Sequence, residues 1–235
     1  GCGVYGNCDG GSNPDNPEIP QNPCEKTKTM LASQKNKDIT DDLKDHLTNG
    51  ANAGEKGWRD NKTGAPTQAT QNGDHSVNFG DPSTMNGGYH NHTGTGVNIF
   101  SSSDISTLIE IARYQAIGNA GNGYMGLVAP NGIHYVIHFN GSHGDLPANS
   151  YTPKEKEDWN TLQTYWVDTL PTFQPNLYSS DGGNTINSKG LEKLFFDTLD
   201  KMGLKNKIIL QKIDNNSQVL TINNDNGIPK EVPCQ

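Results

Sequence analysis

Gly88-Tyr89-His90-Asn91-His92, running on through Thr93 to Phe100 and into Ser101-Ser102-Ser103-Asp104, is the stretch around which the chain is organised. Side chains alternate along an extended backbone, so two histidines one residue apart on a strand face the same way. That face offers two imidazole nitrogens to one metal ion. A carboxylate, Asp104, then arrives at the start of an apolar helix. Histidine, histidine and aspartate make three ligands, which leaves the fourth tetrahedral position for water, as at a catalytic zinc site.

Outward from this stretch, Gly88 to His92 reads as a strand end, and Thr93-Gly94-Thr95-Gly96 as a flexible loop. The glycines there are no phosphate loop, since no Lys-Ser/Thr follows. Ser101 or Ser102 caps the next helix, with Ile105, Leu108, Ile109, Ala112 and Ile117 on one face. Tyr124 to Ala129, the turn Pro130-Asn131-Gly132, and Ile133 to Phe139 read as a hairpin. Upstream, Met30, Leu31, Ile39, Leu43 and Leu47 have roughly helical spacing, which predicts one or two short helices over Cys24 to Leu47. The break is expected near Asn36 or Asp38, with Thr40-Asp41-Asp42-Leu43 as a helix start. Asn49 to Gly54 is a turn, His75 to Phe79 a weak strand, and Pro82 to Gly87 a loop.

Downstream, Lys154 to Leu170 is expected as a helix with Trp159, Leu162, Tyr165 and Trp166 on one side. Pro171 to Asn187 is a polar connection, and Leu191 to Met202 a helix stopped by Gly203. Ile208 to Ile213 and Gln218 to Ile222 are closing strands around an Asn215-Asn216 turn. The order predicts a single α/β (α+β) domain with a mostly antiparallel or mixed sheet over 24–235, preceded by a low-complexity tether over 1–23.

The 235 residues are 31% hydrophobic and 19% charged, with 27 glycines, enough for one compact core with long polar loops. A net charge of -8 and a pI near 5.3 argue against a nucleic-acid partner, which would need a basic face. No run of 18 apolar residues exists, so no membrane span is expected, and no signal peptide stands in the chain as given. Cys2, Cys8, Cys24 and Cys234 contain no C-x-x-C pair, which disfavours a zinc ribbon. A Cys24–Cys234 disulfide would tie the two ends together and implies an oxidising compartment. Cys2 and Cys8 could close a small second loop. Alternatively the four thiols stay unpaired, or Cys2 carries the lipid of a processed bacterial lipoprotein.

Zinc favours imidazole nitrogen and carboxylate oxygen, and a carboxylate that is not a ligand can shuttle a proton from its water to a leaving amine. Glu55, in Gly54-Glu55-Lys56-Gly57, is the candidate, and Ser101 could donate to a developing oxyanion. A glutamate followed by x-Gly, then His-x-His, then Ser-x-x-Asp, resembles the signature of the JAMM (MPN+) metallopeptidases. The resemblance covers about residues 50–140 and extends to secreted bacterial proteins that carry such a domain after a low-complexity stretch. It implies a cytidine-deaminase-like, MPN-type sandwich with flanking helices. It also implies zinc on His90, His92 and Asp104, Glu55 as general acid/base, Ser101 as oxyanion helper, and a peptide or protein substrate cleaved at a peptide or isopeptide bond. The chain departs from the pattern at Asn91, usually Ser or Thr, and at Thr93, usually Pro. Eight residues separate His92 from Ser101, one more than the commonest spacing.

The expected function is therefore a secreted or cell-surface zinc-dependent amide hydrolase. The alternative is a non-catalytic MPN-like binding or scaffold module. A zinc deaminase on the related fold would need His-x-Glu and Pro-Cys-x-x-Cys, which are absent. His134 and His138 share a strand face, expected to be partly exposed, with a place in the pocket wall as the alternative.

Overall fold

The computed structural model describes residues 22–49 and 54–235. The expected tether, apart from its last two residues, lies outside them. So do Cys2 and Cys8, with the loop or lipid expected of them, and the middle of the turn from Asn49 to Gly54.

The described residues begin with α1 (Pro23–Ala32) and α2 (Gln34–Asn49). Strands β1 (Gly57–Asn61), β2 (Thr67–Gln68), β3 (Thr70–Gln71), β4 (Val77–Asn78) and β5 (Met85–Asn91) follow. Then come α3 (Ser102–Arg113), β6 (Tyr124–Ala129), β7 (Ile133–Phe139), α4 (Pro153–Phe173), α5 (Pro175–Tyr178) and α6 (Ser188–Lys201). The last three strands are β8 (Ile208–Ile213), β9 (Val219–Asp225) and β10 (Ile228–Pro233). Eight strands form one sheet in the order β10-β9-β8-β7-β6-β5-β1-β2, while β3 and β4 pair separately. β5 and β6 are parallel, which requires a crossover, and α3 supplies it. The other neighbours are antiparallel. This is the mixed α/β architecture expected.

Alternation divides each strand between two cores. Met125, Leu127, Tyr135, Ile137 and Phe139 pack with α3, α4 and α6 on one face. Tyr89, Tyr124, Val128, Val136 and Ile213 pack with Ile39 and Leu43 of α2 on the other. The β6–β7 hairpin forms as expected, with Asn131 and Gly132 at positive φ in its turn. Cys24 and Cys234 are disulfide-bonded across a separation of 210 residues, tying α1 to the chain's end.

Several local expectations are corrected. The first helix breaks at Ser33, not near Asn36 or Asp38, and Thr40 to Leu43 lies inside α2. Ser33 stops α1 because its backbone is extended, and its hydroxyl donates to Met30 O and accepts from Asn36 N–H. α3 ends at Arg113, so Ile117 is off its buried face and 83% exposed. Tyr165 likewise is exposed, meeting Trp166 edge to face from outside, whereas Trp159 and Trp166 pack on the core. α4 continues through Pro171, and α5 lies within the expected polar connection. Only Val77–Asn78 of the expected strand at His75 to Phe79 is extended, and β5 begins at Met85, inside the expected loop. β1 and β10 are additional strands. Their polar sequences carry no clear alternation, and pairing with β5 and β9 makes them strands. His134 and His138 are buried beneath α1 and α2, on the face opposite His90, rather than partly exposed or in the pocket wall.

Candidate metal centre

The register of β1 against β5 sets Gly57 opposite His90, and the backbone continues this pairing past the strand ends. Asn91 N–H donates to Lys56 O at 3.1 Å, and Lys56 N–H donates to Asn91 Oδ1 at 2.7 Å. One step further, Glu55 falls opposite His92, and Glu55 N–H is held by Asp74 O at 3.1 Å. Period-two alternation puts Glu55, His90 and His92 on one face. The residue facing His90 across the ladder is Gly57, so β1 sets no side chain against the imidazole. Beyond β5, His92 N–H donates to Val128 O at 2.9 Å, which keeps the second histidine on the sheet.

The carboxylate comes from α3. Ser101 is the N-cap and Asp104 the third helical residue, a reciprocal capping box. Asp104 Oδ2 accepts from Ser101 N–H at 2.7 Å and from Ser101 Oγ at 2.8 Å, while Asp104 N–H donates back to Ser101 Oγ at 3.2 Å. Helix capping and delivery of a carboxylate to the histidines are thus one arrangement.

His90 Nε2 and His92 Nε2 stand 3.1 Å apart. Asp104 Oδ1 is 3.2 Å from His90 Nε2, and Oδ2 is 3.7 Å from His92 Nε2. Glu55 also reaches this point, with one carboxylate oxygen and the two imidazole nitrogens all within 4.8 Å of one another. His92 Nδ1–H donates to Val97 O at 2.8 Å, which fixes the tautomer and leaves Nε2 with its lone pair facing the group. Phe79 and Phe100 flank the His90 ring, and His90 Nδ1 is buried without a hydrogen-bond partner among the described residues.

Burial pushes the Glu55 carboxyl up to about 7; the nearby His92 opposes that shift and the Asp104 charge adds to it. Burial acts on Asp104 in the same direction, but the adjoining His90 and His92 outweigh it and hold this carboxyl well below the usual carboxylate range. Two carboxylates on one cleft are therefore driven apart in proton affinity, as acid–base chemistry requires.

The donor set fits a divalent metal. Ligands at zinc's usual bond lengths around a tetrahedron stand roughly 3.3 Å apart. The His90–His92 edge of 3.1 Å and the His90–Asp104 Oδ1 edge of 3.2 Å lie near that value. His92 approaches the other Asp104 oxygen, Oδ2, at 3.7 Å, and one Glu55 oxygen completes a group with the two imidazoles. The group opens into a cleft of about 480 Å³, also lined by Val77, Phe79, Val97, Ser101 and Thr107. All five candidate residues are thus in one place. Sequence reasoning assigned nothing to His75, which lines the same cleft 3.5 Å from Thr93 Oγ1. It gave no role to Asn160 or Gln163 of α4, which form another part of the wall. Nothing in their local pattern signals this, because α4 reaches the cleft only through tertiary packing.

Comparison with protein-family models, with curated proteins and with solved structures finds no match for this chain.

Proposed function

We propose that this protein is a zinc-dependent hydrolase of peptide or isopeptide bonds, resembling the JAMM (MPN+) metallopeptidases on a related sandwich, and that it works outside the cytoplasm. The observation that carries the reading is the convergence of His90 Nε2, His92 Nε2 and Asp104 Oδ1, with Glu55 beside them and outside the capping box. The disulfide fits an extracellular protein. Among the described residues no helix is long and apolar enough to cross a membrane.

In this reading His90, His92 and Asp104 hold the metal. A bound zinc supplies Lewis-acid polarisation of the scissile carbonyl and lowers the pKa of water. Glu55 is the proton carrier: its carboxylate accepts a proton as water adds to the amide carbon and returns it to the departing amine. Its placement opposite His92 puts it on the same face as the ligands, and its raised proton affinity suits both halves of that transfer. Ser101, on the cleft wall, turns its hydroxyl toward the developing oxyanion, having rested on Asp104 Oδ2.

The test is elemental analysis followed by turnover. Wild type purified without added metal is expected to carry about one zinc per chain, and His92→Ala none. Glu55→Gln is expected to retain zinc while amide hydrolysis falls about 10²–10⁴-fold. A wild type that takes up no zinc even when it is offered would sink the reading and leave a binding module. Full activity in Glu55→Gln would remove Glu55 from the mechanism.

A further inference from the structure

Asp104 reaches the histidines only because the first turn of α3 sits where it does. That turn is gripped from outside by α4. Asn160 Oδ1 accepts from Ser102 N–H at 3.0 Å and lies 2.7 Å from Ser102 Oγ. Asn160 Nδ2 donates to Ser103 Oγ at 3.3 Å. The Ser102 hydroxyl also lies 2.8 Å from Lys156 O, one turn earlier on α4, so its single proton sits between two acceptors of the same helix. One turn later, the buried Gln163 donates from Nε2 to Phe100 O at 3.1 Å. Two side chains of α4 thus hold the backbone on both sides of the cap residue Ser101.

These bonds act on residues that surround Asp104 and leave the carboxylate itself free for the histidines. The first turn of a helix has unsatisfied N–H groups and frays unless they are met. Here the capping box is internal to the turn and cannot by itself fix where the turn lies relative to β5. Asn160 and Gln163 supply that external reference, because α4 is packed on the same core as α3 through Val167 and Leu170.

We infer that Asn160 is a positioning residue for the metal centre, acting through Ser102 and Ser103 on the placement of Asp104. The inference rests on the metal-site reading above. It extends the functional unit to α4, which lies outside the 50–140 stretch that resembles the metallopeptidases. Groups that orient ligands without touching the metal commonly change its affinity by about 10–100-fold.

The test measures zinc affinity of the full chain by chelator competition, with the visible spectrum of the cobalt(II) form as a second readout. Asn160→Ala is expected to weaken zinc about tenfold and to alter the cobalt spectrum. Asn160→Asp keeps an acceptor for Ser102 and is expected to restore most of the affinity and the wild-type spectrum. Val167→Ala loosens α4 in the core without touching the α3 turn, so it is expected to lower Tm and leave zinc affinity unchanged. Wild-type affinity in Asn160→Ala would overturn the inference, and so would an equal loss in Val167→Ala. In both cases the metal reading would stand. Absence of zinc from wild type and His92→Ala alike would remove the metal site and this inference together.

Discussion

Gly126 shows what a single position does here. A Cβ on Gly126 would lie 2.2 Å from the ring of Tyr89, on the neighbouring strand. Tyr89 is fully buried, and its hydroxyl stands 2.7 Å from His134 Nε2. The missing side chain is therefore the space the tyrosine occupies, and the tyrosine fixes β5 immediately before His90. Gly126→Ala should destabilise the protein by about 1–3 kcal/mol through overpacking, with a Tm lower by several degrees in a thermal melt. An unchanged Tm would mean that the Tyr89 ring can move aside freely. At this scale His90 and His92 were legible, because the alternation that pairs them is a property of the chain alone. The Gly126–Tyr89 fit was not, because it joins residues 37 positions apart on strands whose register no local pattern states.

At the scale of elements, α1 and α2 cover a sheet face with an unusually polar lining. His138 Nε2 meets Thr27 Oγ1 at 2.8 Å, Thr27 also bonds Gln211, and Tyr124 donates to Asp60, which pairs with Lys35. Burial pushes His134 down to about 3, with Lys44 adding to the shift, and burial likewise pushes His138 down to about 4, with Lys26 adding. Both are held neutral in the folded protein, whereas in the unfolded chain each protonates near 6.5. The unfolded state therefore binds more protons between these values, and their contribution is full above pH 6.5 and lost as pH falls toward 3 or 4. Glu55 and Glu192, both raised to about 7 by burial, act oppositely above their unfolded values, so the whole-protein profile mixes the two signs. A difference measurement isolates the histidine. Relative to wild type, His134→Gln should gain about 3 kcal/mol between pH 7 and pH 4, read from denaturant melts at each pH. A difference that stays constant with pH would show that His134 is not held neutral. Element by element, the β6–β7 hairpin and α3 were readable from periodicity and turn residues. β10 was not: its prolines 229 and 233 and its charges suit an edge strand, and only pairing with β9 makes it one.

Across the whole molecule, the Cys24–Cys234 bond closes nearly the full chain. In chain-entropy terms, a loop of 210 residues restricts the unfolded state by about 5 kcal/mol. Replacing both cysteines with serine should therefore lower Tm by about 10 °C, whereas a change below about 2 °C would show that α1 is held against β9 by packing alone. The pairing was anticipated from position, since the two cysteines bracket the domain expected over 24–235.

By itself the sequence determined the donor types, their spacing along the chain, the strand that carries the histidines and the helix start that carries Asp104. Each is local, set by the alternation of a strand or the capping of a helix. Only the tertiary structure decided that Glu55 lies opposite His92, that Asp104 reaches His90, and that α4 grips the turn between them. These depend on strand register and helix packing, where contacts between distant residues choose among arrangements that local preference leaves equal.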